Sequence, residues 1–203
     1  MERWSGRVAL VTGASSGIGA AVCENLVKNK LNVVGAARRI ERMQDLAEKL
    51  KNEEGTFLPV KCDVTKDEDV FAVFDKIKET FGGVDVCVNN AGIVGTGPGL
   101  LDGTPEEWRQ IFNVNVIAAC LCSKLTVNSI RERNLDEGHI INISSLAGHF
   151  VYPTASIHFY TGSKFALRAL SEGLRQELQE DSTGIKVSKD TDIRIDDFNI
   201  APF

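Results

Sequence analysis

VALVTGASSGIG, residues 8–19, carries a short apolar run straight into a turn that holds three glycines. Five residues of strand character, then Gly13, Gly17 and Gly19, then helix-period residues predict a strand, a tight turn and a helix in immediate succession. Glycines in such a turn let the backbone bend sharply and approach a pyrophosphate, while the helix start offers free N–H groups and a favourable dipole to anionic oxygens. The spacing is Gly-x3-Gly-x-Gly rather than the commoner Gly-x-Gly-x-x-Gly. The turn therefore needs the rest of the chain to decide its meaning, because a glycine-rich turn also serves packing alone.

The rest of the chain repeats the same unit. Apolar runs VALVT, NVVGAA, TFLPVK, VDVCVNN, HIINIS and a final IKV alternate with helix-period segments at 18–28, 40–51, 67–81, 105–131 and 158–180. The runs are almost wholly apolar rather than alternating, as expected where helices cover both faces of a parallel sheet. The expected fold is a single α/β domain, a doubly wound Rossmann-type parallel sheet with helices on both faces. Thr104-Pro105-Glu106-Glu107 predicts a helix start, with a capping box and proline at the first helical position. The Gly-rich stretch 93–103 follows a strand end, where ligands bind in such sheets.

Composition narrows the class. The 203 residues, 43% hydrophobic with a formal net charge of -5, suffice for one cored domain. Acidic and basic residues are interspersed, which gives no electrostatic reason for a nucleic acid or anionic membrane partner and favours a small ligand. No apolar run approaches membrane-span length, 116–122 being among the longest, and the N-terminal run is too short for a signal peptide, so a cytoplasmic protein is expected. Cys23, Cys62, Cys87, Cys120 and Cys122 lack zinc-like spacing; they read as buried reduced thiols, and no metal site is expected.

The second strand ends in Ala36-Ala37-Arg38-Arg39, with no acidic residue to accept from a ribose 2′-hydroxyl. Two guanidinium groups there favour a 2′-phosphate, hence NADP(H) over NAD(H), against the alternative that both are solvated charges opening the next helix. Further on, Tyr160 and Lys164 lie four apart, one turn apart on one helix face. A tyrosine with an ordinary pKa of ~10 exchanges protons poorly at neutral pH, and a neighbouring ammonium favours its phenolate. Ser144 and Ser145 stand at the end of the fifth strand, where Ser145 can hydrogen-bond a substrate carbonyl oxygen. A bare tyrosine–lysine pair is more often a solvated helix face, and the surrounding motifs overturn that reading.

Those motifs resemble the short-chain dehydrogenase/reductase family: TGASSGIG at 12–19, the Cys62-Asp63-Val64 step, NNAG at 89–92, Asn115 in FNVNV, Ser145 in NISS and YTGSK at 160–164. The resemblance covers nearly everything from Arg3 to Val187. It implies carbonyl/alcohol redox chemistry with NADP(H) on a small apolar steroid, retinoid, isoprenoid or dicarbonyl substrate, and a catalytic set of Asn115, Ser145, Tyr160 and Lys164. Tyr160 is then the acid/base; Lys164 serves phenol and nicotinamide ribose; Asn115 joins a water-linked relay to Lys164. The resemblance also implies cofactor contacts from Gly13, Ser15, Ser16, Gly17, Ile18 and Gly19 at the pyrophosphate, and from Arg38 and Arg39 at the 2′-phosphate. Asp63 and Val64 are assigned to the adenine, and Asn90 to a ribose. A homodimer or homotetramer is expected through helices carrying Phe165, Leu167, Leu170, Leu174 and Leu178. His149 and His158 are expected to be structural or substrate-lining, and Trp4 and Trp108 to be packing anchors. A different class, a catalytically inactive cofactor-binding protein of the same fold, stays open because of the chain's end.

That end reads GIKVSKDTDIRIDDFNIAPF at 184–203. Two strand-like runs are separated only by residues 188–192, and parallel neighbours need a crossover of about ten residues or more. The resemblance places a substrate-covering segment between them. The expectation is that several tens of residues are lacking between Ser188 and Lys189, against the simpler alternative of a hairpin.

Overall fold

In the computed structural model, residues 2–94 and 99–190 are described. Six strands form one sheet in the order β3-β2-β1-β4-β5-β6: β1 Val8–Thr12, β2 Asn32–Ala37, β3 Thr56–Lys61, β4 Val86–Asn89, β5 Glu137–Ile143 and β6 Gly184–Asp190. All five pairings are parallel. β1 has β2 on one side and β4 on the other, so the chain reverses its winding there and leaves a crevice at the strand ends.

Helices α1 Gly17–Lys28 and α2 Ile40–Leu50 cover one face, burying Val22, Cys23, Leu26 and Met43 against Ala9, Val11 and Val33. On the other face α3 Asp67–Phe81, α5 Ala118–Glu132 and α6 His158–Glu180 pack Val73, Ile77, Ile130 and Leu178 on Leu10, Val34 and Ile140. Two covered faces account for the apolar strands. β3 is an edge strand, which is why Pro59 can sit in it without breaking a second ladder.

Asp85 stitches the strand beginnings. Its carboxylate, 2% exposed, accepts from Val8 N at 2.8 Å and from the guanidinium groups of Arg133 at 2.9 Å and Arg7 at 3.3 Å. At the opposite ends Asn89 donates to Asn142 Oδ1 at 2.8 Å and to Ser123 Oγ at 3.0 Å, and Asn142 donates to Ser171 Oγ at 2.8 Å. This buried amide network ties β4 and β5 to α5 and α6.

Four expectations change. The segment 105–131 is one continuous helical run, α4 Pro105–Phe112 followed by α5, but residues Asn113–Ile117 between them are π-helical. Joined, Pro105–Glu132 is long and apolar enough to cross a membrane by length and composition, which the shorter apolar run did not suggest; half of its most apolar window is buried inside the fold. Cys120 is exposed on α5 while the other four thiols are buried. Finally, β6 runs on past Val187: Ser188, Lys189 and Asp190 stay in register with Ile141, Asn142 and Ile143, and Ser188 Oγ meets His139 Nε2 at 2.8 Å. The second strand-like run, 193–200, lies outside the described residues.

Candidate active site

The glycine turn is built by packing as much as by φ. Gly13 and Gly17 hold left-handed φ of 68° and 56°, while a methyl on Gly19 would come within 2.4 Å of Gly13 O. Gly19 is thus the position where α1 presses on the turn. From β4, Asn90 Nδ2 donates to Thr12 O at 2.9 Å, and Thr12 Oγ1 accepts from the amides of Asn90 and Ala91 at 3.1 and 3.0 Å. Thr12, which the sequence did not single out, clamps the two strand ends that flank the crevice.

A cavity of about 640 Å³ opens above that crevice. Gly13, Ser15, Ser16 and Ile18 form one wall, Arg38 and Arg39 a second, Asp63 and Val64 a third, and Asn90 to Ile93 the floor. Arg39 lays its guanidinium on the hydroxyls of Ser15, at 3.1 Å, and Ser16, at 2.8 Å. These donors converge with Arg38 at the end of β2, a set suited to a phosphate beside a ribose. Asp63 accepts from Thr65 N and Oγ1; burial raises its carboxyl pKa, but those hydrogen bonds and Arg38 hold it below the ordinary value on balance. Gly17 and Gly19 support the turn without lining the cavity. Glu106, Arg109, Gln110, Asn113 and Val114 of the long helix line its remaining side; the sequence assigned them no site role, because which helix face meets the crevice is set by tertiary packing.

The four expected catalytic residues come from three places: Asn115 from the π-helical turn, Ser145 from just past the end of β5, and Tyr160 and Lys164 from α6. Asn115, 1% exposed, sits in the π-helical turn. Its amide donates to Ile93 O and accepts from Ile93 N, both at 2.9 Å, so this residue, unfavourable in a helix interior, works as a clamp on the β4 loop. Lys164, 5% exposed, donates from Nζ to Ile143 O at 2.7 Å; desolvation lowers its pKa to about 8. Its Nζ lies 5.8 Å from the centroid of the Tyr160 ring. A side chain at Gly92 would meet Asn115 Oδ1 at 3.6 Å and Lys164 Nζ at 3.9 Å, so both groups converge on the cavity floor. Ser145 caps a short 3-10 turn, its Oγ accepting from Ala147 N at 3.1 Å, which leaves the hydroxyl proton to donate elsewhere. Ser144 Oγ is buried without a hydrogen-bond partner among the described residues.

Of the other residues weighed, His158 meets Tyr152 O at 3.0 Å through Nε2, and His149 is exposed. Trp4 is buried, and Trp108 stacks on Phe159 with ring centroids 5.2 Å apart, both as packing anchors. Leu167 and Leu178 turn into the core, whereas Phe165 and Leu170 stay exposed on α6.

The model of the family described as "short chain dehydrogenase" matches residues 7–189. "Dehydrogenase/reductase SDR family member 11" of Gallus gallus is 49% identical over 190 residues, 93% of this chain and 74% of that protein. "Farnesol dehydrogenase" of Aedes aegypti is 43% identical over 189 residues, 93% of this chain and 77% of that one. Among solved structures, a metagenomic short-chain oxidoreductase in complex with NADP superposes with a TM-score of 0.83 at 34% identity, over 92% of this chain and 81% of that one. A short chain dehydrogenase/reductase from Burkholderia phymatum in complex with NAD gives 0.85 at 29% identity, over 93% and 66%.

Proposed function

The chain belongs to the short chain dehydrogenase family, and from that premise we propose that it is an NADP(H)-dependent oxidoreductase interconverting a carbonyl and an alcohol on a small apolar molecule. The observation that carries the cofactor preference is the Arg39 guanidinium seated on Ser15 and Ser16 beside Arg38, with no acidic side chain at the end of β2. A bound nicotinamide dinucleotide supplies or accepts the hydride. Tyr160 gives the proton from its phenol to the substrate oxygen. Lys164 keeps its charge at neutral pH even with a pKa near 8, and so favours the phenolate left behind. Ser145 donates its free hydroxyl proton to the same oxygen, and Asn115 holds the floor on which a relay to Lys164 runs.

An apolar substrate is supported by the rim of the site. Val94, Leu100 and Leu101 follow β4, and Leu146, Phe150 and Val151 follow β5, all exposed at the sheet edge that carries Ser145. The expectation that a substrate-covering segment is lacking between Ser188 and Lys189 is what keeps an inactive cofactor-binding protein as the second reading. A homodimer or homotetramer through the exposed side of α6 and a cytoplasmic location complete the proposal.

Incubation of the purified chain with NADPH and a panel of retinoid, steroid, isoprenoid and dicarbonyl compounds tests it. Carbonyl-dependent oxidation of NADPH, faster than of NADH and reversed in preference by Arg38→Asp, is expected. Tight NADPH binding without oxidation by any compound sinks the enzyme reading in favour of the second.

A further inference from the structure

We propose that Ser163 is a positioning residue that locks Asn115, and through it the floor of the cofactor cavity, to the helical turn bearing Tyr160. This rests on the oxidoreductase reading above and assigns a role within the same site. Ser163 is 0% exposed. Its Oγ donates to Tyr160 O at 2.6 Å and accepts from Asn115 Nδ2 at 3.0 Å.

The direction of these bonds matters. A serine hydroxyl has one proton, and here it is committed to the Tyr160 carbonyl, so only lone pairs face Asn115. Ile93 takes the Asn115 carbonyl oxygen at its N–H and one Asn115 N–H at its C=O, each at 2.9 Å, so the second N–H of the amide is turned to the Ser163 lone pairs. The opposite amide orientation sets oxygen against oxygen at Ser163 and N–H against N–H at Ile93. The backbone groups of Ile93 set which way this 1% exposed amide points, Ser163 holds it there by accepting its remaining N–H, and the amide fixes Gly92 and Ile93, which line the cavity. The hydroxyl is the physical link between α6 and the β4 loop at the point where Lys164 and Asn115 converge. Without it, one N–H of Asn115 is buried unpaired and the loop loses its reference to Tyr160.

The test is Ser163→Ala in the full chain, read in two ways. Amide hydrogen exchange needs no activity: the Ile93 N–H is expected to exchange about tenfold faster, the equivalent of one hydrogen bond, while amides of β1 keep their wild-type rates. With NADPH and 2,3-hexanedione as the probe pair, kcat is expected to fall about tenfold with KM for NADPH within about twofold. Ser163→Ala combined with Asn115→Ala is expected to be no slower than Asn115→Ala alone. Ser163→Cys, which retains a weak donor and acceptor, is expected to fall between wild type and alanine and serves if the alanine variant does not fold. Unchanged Ile93 exchange in the variant that folds, or losses that multiply with those of Asn115→Ala, overturns the proposal. A wild-type chain that never oxidises NADPH overturns the functional reading, while the exchange experiment still decides the role of Ser163.

Discussion

Lys164 shows what a single residue costs the fold and why it is tolerated. Lys164 is 5% exposed and its Nζ donates to the neutral Ile143 carbonyl; desolvation takes its pKa from 10.5 to about 8. A lysine whose folded pKa is depressed destabilises the fold while both states are charged, below pH 8. The unfolded chain binds more protons between pH 8 and 10.5, so stability rises with pH across that window, and above it the penalty is gone. Lys164→Met is therefore expected to be the more stable protein at pH 7, by up to ~3 kcal/mol, with the difference shrinking from pH 8 to 10.5. Urea unfolding of both proteins without cofactor checks this; a difference that does not change with pH refutes it. Burying a charge at such cost fits a group kept for chemistry. Lys164 and Tyr160 were singled out because the surrounding motifs outweighed the bland reading of a bare four-residue spacing. Ser163 and Thr12 were not, because their partners lie 48 and 78 residues away and only the folded sheet brings them close.

At the scale of elements, strands and helices were legible where the chain carries its own signals. The capping box at Thr104 forms as read, with its side chain bonded to Glu107 N and Glu107 returning to Thr104 N. The π-helical turn was not legible: NVNVI is five residues inside a longer helical run and carries no signal of its own for a widened turn, while the grip of Asn115 on Ile93 joins residues 22 apart. Nor was the extension of β6, since Ser188, Lys189 and Asp190 carry no apolar signal and are strand only because β5 offers them partners. Asp85 is the element-scale joint: one carboxylate receives β1 at Val8, Arg7, and Arg133 just beyond α5. Asp85→Ala leaves the Val8 amide and the two guanidinium groups short of their shared partner, and is expected to lose about 3 kcal/mol or more of unfolding free energy. Asp85→Asn, which keeps an acceptor for Val8 but not the charge, is expected to lose less. Equal losses in denaturant titrations show that the ion pairs add nothing beyond the Val8 bond.

At the scale of the whole molecule, the cavity at the strand ends is walled as a nucleotide cofactor requires, and the proposed substrate side lies beside it. Five strand–helix units, the order reversal at β1 and the arginines at the end of β2 build a cavity whose walls come from four strand ends. The substrate side ends in six exposed apolar residues on two loops, and the described chain stops at Asp190, in register with the last residue of β5. If a covering segment is lacking between Ser188 and Lys189, an apolar substrate lies on that rim with much of its surface still in water. Full enclosure of one methylene contributes about 0.8 kcal/mol, close to a fourfold gain in kcat/KM. A substrate tail half in water gains less than about twofold per methylene. Across a series of 2-ketones of increasing length with NADPH saturating, the slope of log kcat/KM against chain length is thus expected to stay below that twofold step. A fourfold step sustained over several methylenes means that the tail is enclosed, and the substrate side is then complete within these 203 residues.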